Sequence, residues 1–367
     1  MPGITTTSLV ASGLLALASA QVKVPAEFKP GVKWQIEIQH ALSTSAPLVP
    51  TGVPVWDLDL YHLARNPDII ARIRVSSVLP HLSPSPLEAR YLSNTTSQNQ
   101  NANAFIVCYF NAGLVQTSDC DYNTTWDTPA NRGLLGRKWP EFPDERWVNI
   151  KNATSHTLIQ RRITLANTLG CDAVDPDNID GYGVDGDPSV PEEEKTGWNL
   201  SEADDVAFVR ALARHAHGLT TKRGNTLLIG QKNAPELAGE LLEDLDFAVL
   251  EDCKDLRHGG RDPWCDEFQR YVAAGKPVLS IEYPRSLESP SGSGGCAASG
   301  ASEAEYNASC DETKGNKGFS TVLKIKEGQG ELNGCTQYCD GKKVGTGVVV
   351  TETDASKDNG KCPEGST

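Results

Sequence analysis

Carboxylates collect at the ends of the apolar runs of this sequence. Asp57 and Asp59 follow Val55, Tyr109 and Asn111 close the run from Phe105, and Asp175, Asp177 and Asp180 follow Val174. Lys232 and Asn233 come after Leu227 to Gly230, Glu251 ends the run from Phe247, and Glu282 and Tyr283 follow Ile281. An unpaired carboxylate is costly to bury, so acids crowded at the edge of an apolar strand set mark a cleft. Two carboxylates flanking one bond can hydrolyse a glycoside. One protonates the leaving oxygen, and the other attacks the anomeric carbon or activates water.

The densest stretch is Gly170-Cys171-Asp172-Ala173-Val174-Asp175-Pro176-Asp177-Asn178-Ile179-Asp180-Gly181-Tyr182. It fails as a calcium loop, because counting from Asp175 puts Ile179 where an oxygen ligand is needed. Against the chitinase pattern D-x-x-D-x-D-x-E it matches Asp172, Asp175 and Asp177 but has Ile179 in place of the Glu. A polar turn capped by Asp and Asn also fits. On an extended segment Asp175 and Asp177, two apart, face the same side. The best partner for Asp177 is Glu251. The 74 positions between them equal about two βα units of a barrel, on non-adjacent strands facing each other across the mouth. Asp252 should point the other way. Glu251 also fits a surface strand-end acid, and Lys232 fits either a structural ion-pair partner or a cleft residue.

Positioning these residues takes strands that alternate with helices. Eight apolar runs recur, at Trp34–Ile38, Val53–Leu58, Phe105–Phe110, Cys171–Val174, Leu227–Gly230, Phe247–Leu250, Pro277–Ile281 and Phe319–Ile325. Helical periodicity spans Ser155–Leu169 and Ser201–Leu219, the second opened by a Ser201/Asp204 capping pair. Eight strands alternating with helices predict an α/β fold, a (β/α)8 TIM-type barrel forming a single catalytic domain over residues 21–340. No glycine-rich phosphate loop follows the first strand. The segments Leu79–Asn103 and Ser286–Ser302 read as inserted loops, and residues 341–367 as a polar, mobile tail. Active sites of such barrels gather at the C-terminal strand ends. The expected substrate-binding set is therefore Asp57, Asp59, Tyr109, Asn111, Asp175, Asp180, Tyr182, Lys232, Asn233, Glu282 and Tyr283. No metal or cofactor is expected, since no Cys or His has metal-ligand spacing.

Composition narrows the partner. The net charge of −14 repels phosphate backbones and excludes nucleic acid, favouring a cationic or neutral partner. Residues 1–20 carry a short apolar run ending at Ala18-Ser19-Ala20, a secretory leader by pattern and too short to span a bilayer. No membrane anchor is expected. Five N-x-S/T acceptors, at Asn94, Asn123, Asn152, Asn199 and Asn307, and ten cysteines suit secretion. Cys253 and Cys265 could close a short loop. Cys108 and Cys171 read as buried thiols or bridge partners, with Cys120 a candidate partner for one of them.

These strings resemble the endo-α-1,4-polygalactosaminidases, glycoside hydrolase family 114. The matching segments are Val55-Trp56-Asp57-Leu58-Asp59, Cys108-Tyr109-Phe110-Asn111-Ala112-Gly113, the stretch Gly170–Tyr182, Lys232-Asn233, Glu251 with Cys253, and Ile281-Glu282-Tyr283. The resemblance implies a (β/α)8 barrel, endo-cleavage of α-1,4-linked galactosamine, and Asp177 and Glu251 as the catalytic carboxylates. Two features depart from the family pattern: the insertion between Asp180 and Ser201, with its acidic Pro191–Glu194, and the loop at Leu79–Asn103. The expected partner is a cationic or partly acetylated galactosamine polysaccharide, met by a secreted monomer. Tyr109, Tyr182 and Tyr283 could stack on sugar faces or pack in the core, and Asp57, Asp59 and Asp180 could pair with ammonium groups. The alternatives are a non-catalytic glycan-binding or cell-wall protein on the same barrel, or a hydrolase of another amino-sugar polymer.

Overall fold

The computed structural model describes residues 24–74, 103–289, 295–326, 332–340, 347–358 and 362–363. The expected leader at 1–20, the Asn94 acceptor and nearly all of the insertion at 79–103 lie outside the described residues.

All eight apolar runs form strands: β1 Trp34–Glu37, β2 Val55–Asp59, β3 Phe105–Asn111, β4 Ala173–Asp177, β5 Leu228–Lys232, β6 Phe247–Glu251, β7 Val278–Glu282 and β8 Ser320–Leu323. They pair in parallel and in chain order, in a sheet that curls into a barrel. Side chains join its two ends. The Trp34 indole donates to the Ser320 carbonyl at 2.7 Å, and Lys324 Nζ donates to the Ile36 carbonyl at 2.8 Å.

Period-2 alternation decides what lies inside. The interior cluster takes Trp34, Val55, Val107, Ala173, Leu228, Val249, Ile281 and Val322, so every strand contributes. Phe28 plugs the floor, stacked on Phe105 at 4.3 Å and edge-on to Phe247 at 5.2 Å. Gly230 makes room there, since a Cβ at that position would sit 2.6 Å from the Phe247 ring. Apolar residues fill the lower layers, and the same inward faces continue upward into Asp175 and Asp177 on β4, Lys232 on β5 and Glu251 on β6.

The helices Ala153–Leu169 and Glu202–His217 cover the outside, burying Leu158, Ile159, Ile163, Val206, Val209 and Leu212 with Cys108, Val174 and Ile229. Asn152 caps the first through the Thr154 N–H at 2.8 Å. In the second, Ser201 donates its N–H (2.9 Å) and hydroxyl (2.6 Å) to Asp204. Losing such a cap costs about 1 kcal/mol.

Three features differ from the sequence reading. First, no helix joins β1 to β2. Second, a three-stranded antiparallel sheet, with Glu145–Val148 between Leu114–Gln116 and Leu135–Lys138, follows β3. Its strands are only three or four residues long and two of them carry charged residues, so no apolar run announces them. Third, the described parts of the segment expected to be mobile, residues 347–358 and 362–363, are held. Cys335–Tyr338 pairs antiparallel with β8, Val348–Val350 pairs with Cys335–Tyr338, and Cys120–Cys362 clamps the end. Cys120 therefore does not pair with Cys108 or Cys171. Those two bridge each other, because they sit on the adjacent strand β3 and at the start of β4, with Cα atoms 6.0 Å apart. Cys253–Cys265, Cys296–Cys335 and Cys310–Cys339 complete five disulfides. Among the described residues no helix is long and apolar enough to cross a membrane.

Candidate active site

Asp177 and Glu251 end β4 and β6, with β5 between them, and both line a cleft of about 660 Å³ at the barrel mouth. Lys232, the last residue of β5, reaches both. Its Nζ lies 2.9 Å from Asp177 Oδ1 and 2.6 Å from Glu251 Oε2. The two carboxylate oxygens are therefore no more than about 5.5 Å apart.

Each carboxylate is further oriented. Tyr109 donates its hydroxyl to Asp177 Oδ2 at 2.8 Å, and the Asn178 N–H donates to Oδ1 at 2.8 Å. The Tyr283 hydroxyl donates to Glu251 Oε1. The Glu251 N–H donates to Asn233 Oδ1 at 2.9 Å. Asn178 and Asn233 both follow strand ends at positive φ, 57° and 44°, a conformation asparagine tolerates better than most residues. Gly113 permits the chain to pass, because a Cβ there would fall 1.7 Å from the Asn178 carbonyl oxygen.

The charges of this trio follow from burial and pairing. Burial alone would push the Lys232 ammonium down, but Asp177, Glu251 and Asp175 overcome it and hold the ammonium well above its usual range. Burial would push Glu251 up, yet Lys232 and Lys326, together with the hydrogen bonds from Lys232 and Tyr283, bring it down to about 2. The resting site therefore holds Glu251 ionised.

Other expected residues separate into groups. Asp59, Tyr109, Asp180, Lys232 and Asn233 line the cleft. Asp180 is pushed up to about 6 by burial and by the charge of Asp177. Asp59 also caps a helix, accepting the His62 N–H at 2.7 Å. Tyr283 reaches the site through Glu251. Asp57 and Asp175 face inward but sit one layer deeper, fully buried, and do not line the cleft. Asn111 is likewise buried, donating to Glu145 Oε2 at 3.1 Å and accepting from Asn178 Nδ2 at 2.9 Å. Tyr182 turns its hydroxyl to Glu236 Oε2 at 2.7 Å, away from the cleft. Glu282 points outward, since Ile281 and Tyr283 take the inward positions, and lies buried beside Cys253. None of these five lines the cleft.

The cleft also takes residues that sequence reading missed. Trp139, Glu141, Phe142, Asp144 and Glu145 come from the hairpin between the strands Leu135–Lys138 and Glu145–Val148, His40 from the loop between β1 and β2, His62 from the helix after β2, and Asp358 from the C-terminal segment. Asp358 is held there by His40 Nδ1 at 2.7 Å and by the Ala41 N–H at 2.7 Å. Burial pushes Glu145 up to about 8, with the Gln116 hydrogen bond opposing. Behind the cleft, the buried Arg162 donates to Asp119 (2.8 Å), to both oxygens of Asp121 (2.9 and 2.7 Å) and to the Asn111 carbonyl (2.8 Å), fixing the end of β3. Off the cleft, Asp252, Asp255 and His258 bring potential ligand atoms within 4.8 Å of one another. Asp255 already accepts the Arg261 and Asp262 N–H groups.

Such a carboxylate pair in a barrel mouth is what hydrolysis of a glycoside requires. Among solved structures, the chain is similar to Aspergillus fumigatus Ega3 in complex with galactosamine, at 27% identity and a TM-score of 0.62, covering 87% of this chain and 100% of that one. The glycoside hydrolase domain of Pseudomonas aeruginosa PelA aligns at 13% identity and a TM-score of 0.46, over 80% of this chain and 94% of that one. None of the curated proteins compared with the chain matches it. The family model of the GH114 glycoside hydrolases matches residues 16–344. By that match across most of its length, the chain belongs to glycoside-hydrolase family GH114.

Proposed function

We propose that this glycoside hydrolase cleaves α-1,4-linked galactosamine polymers internally, with Asp177 and Glu251 as the reacting carboxylate pair. The observation that carries the reading is the bridge of Lys232 between them, which holds two oriented carboxylates in the cleft with their lysine-bound oxygens no more than about 5.5 Å apart. Carboxyl groups about 5–5.5 Å apart suit a retaining mechanism, whereas inverting enzymes need about 6.5–9.5 Å to admit a water. One carboxylate attacks the anomeric carbon while the other protonates the departing oxygen, and water then releases the covalent intermediate. Contact with an ammonium favours the charged carboxylate, so whichever member acts as acid must first part from Lys232.

The substrate class is supported by the galactosamine bound to Ega3 and by charge. Asp59, Asp144, Asp180 and Asp358 line a cleft in a chain of net charge −14, which draws in a polycation. Secretion is supported by the five disulfides and by exposed acceptors at Asn123, Asn152, Asn199 and Asn307.

The test is a digest of fully deacetylated and fully acetylated α-1,4-galactosamine polymers, with products read by mass spectrometry and their first-formed anomers by NMR. Short oligosaccharides from the deacetylated polymer, released as α-anomers, are expected. Intact polymer bound by folded protein would favour a glycan-binding role instead.

A further inference from the structure

One layer below the Asp177–Lys232–Glu251 bridge lie two carboxyl groups that the reaction itself does not touch. Asp57 on β2 and Asp175 on β4 are each 0% exposed. None of their four side-chain oxygens receives a hydrogen bond from a donor group. The register explains the lack. Asp57 lies between Ile36 on β1 and Val107 on β3, and neither side chain can donate. Asp175 lies beside Tyr109, whose hydroxyl is committed to Asp177.

Buried carboxylates are tolerated when paired with a cation or supplied with donors. Two ionised carboxylates side by side, with no donor between them, satisfy neither condition. A single proton resolves this, turning one group into a donor and the other into its acceptor. The charged groups that face the pair are Lys232 from β5, Asp177 from β4 and Glu251 from β6. Burial favours the neutral acid at both positions and pushes Asp175 up to about 7, with the Lys232 ammonium opposing, whereas at Asp57 the Asp175 charge adds to burial and drives the carboxyl well above its usual range. The proton therefore belongs on Asp57.

We propose that Asp57 keeps its proton and donates it to Asp175, and that the single negative charge left on Asp175 anchors Lys232 between Asp177 and Glu251. Asp57 and Asp175 are thus positioning residues. They set the place of the ammonium that in turn sets the two reacting carboxylates. The activity arm of this inference rests on the proposed roles of Asp177 and Glu251, and the spectroscopic arm does not.

The test uses the full secreted chain labelled with ¹³C-aspartate and its Asp57→Asn and Asp175→Asn variants. At pH 7 the infrared difference between wild type and Asp57→Asn is expected to show the carbonyl band of a protonated aspartic acid, present in the wild type and lost in the variant. Absence of that band overturns the proposal, whatever the activity shows. In turnover of the deacetylated polymer, Asp57→Asn keeps an N–H donor to Asp175 and is expected to hold kcat within about tenfold of wild type. Asp175→Asn removes the anchoring charge and is expected to lower kcat by about 10²-fold, the cost of misplacing a reacting group by about an ångström. Equal losses in the two variants contradict the assignment of the proton. Thermal melts establish that each variant is folded, and if Asp175→Asn does not fold, the infrared comparison decides. A wild type that cleaves no polymer yet shows the band would refute the proposed function and leave the proton pair standing.

Discussion

The Lys232 ammonium donates to Glu251 Oε2 at 2.6 Å, from the end of β5 to the end of its neighbour β6. Both side chains occupy inward positions at the last residue of their strands, so the pleat and the parallel pairing make them neighbours. The contact reverses the effect of burial on Glu251 and keeps it charged.

Removing that charge should therefore be visible in pH dependence. In Lys232→Met the ammonium is gone and burial governs Glu251, so its pKa rises from about 2. The acidic limb of the kcat/KM profile should move to higher pH, and turnover at its optimum should fall by about 10²-fold or more. A limb that stays in place would show that Lys232 does not control Glu251.

Gly113→Ala tests positioning without touching any charged group. The added Cβ would meet the Asn178 carbonyl oxygen at 1.7 Å, so the turn that carries Asp177 and Asn178 must shift. A drop in kcat of about 10²-fold with a folded protein is expected. Wild-type kcat would mean that the turn yields without moving Asp177.

Breaking Cys120–Cys362 should affect both stability and substrate binding. The bridge spans 242 residues and tethers the segment that brings Asp358 to the cleft. Cys362→Ser paired with Cys120→Ser should lose about 2–4 kcal/mol in denaturant unfolding. It should also raise KM for the polymer while leaving kcat close to wild type. Unchanged KM would remove Asp358 from the substrate-binding surface.

Stability should fall as pH rises from mildly acid to mildly alkaline. Burial pushes Glu37, Glu145, Asp205 and Glu282 each up to about 8 from ordinary values near 4. A carboxyl whose folded pKa is raised contributes stability that is fully present below the unfolded pKa and lost as pH climbs through the folded one. Glu251, held at about 2, works in the opposite sense, but its window lies below 4.5. The melting temperature should thus be higher at pH 5 than at pH 8, and the reverse order would contradict these burial effects.

The parts of this site carried by long, regular strands were legible in the sequence. Asp177 and Glu251 sit where a two-residue period and a barrel repeat put them, on alternate strands and facing inward. The same period could have set Glu282 aside, since Ile281 and Tyr283 already claim the inner face. Depth was harder to read. Asp57 and Asp175 share the inward face with Asp59 and Asp177, and only packing shows that they lie a layer below the cleft. Glu145 and Asp358 were not legible, because one rides on a short charged strand and the other is brought in by a disulfide between distant cysteines.

The most direct measurement is the rate of new reducing-end formation from deacetylated α-1,4-galactosamine polymer by the wild type, Asp177→Asn and Glu251→Gln, with polymer binding measured in parallel. The wild type should cleave, and both variants should bind the polymer while turning over about 10³-fold more slowly or worse. Either variant cleaving at the wild-type rate would contradict the assignment of this carboxylate pair.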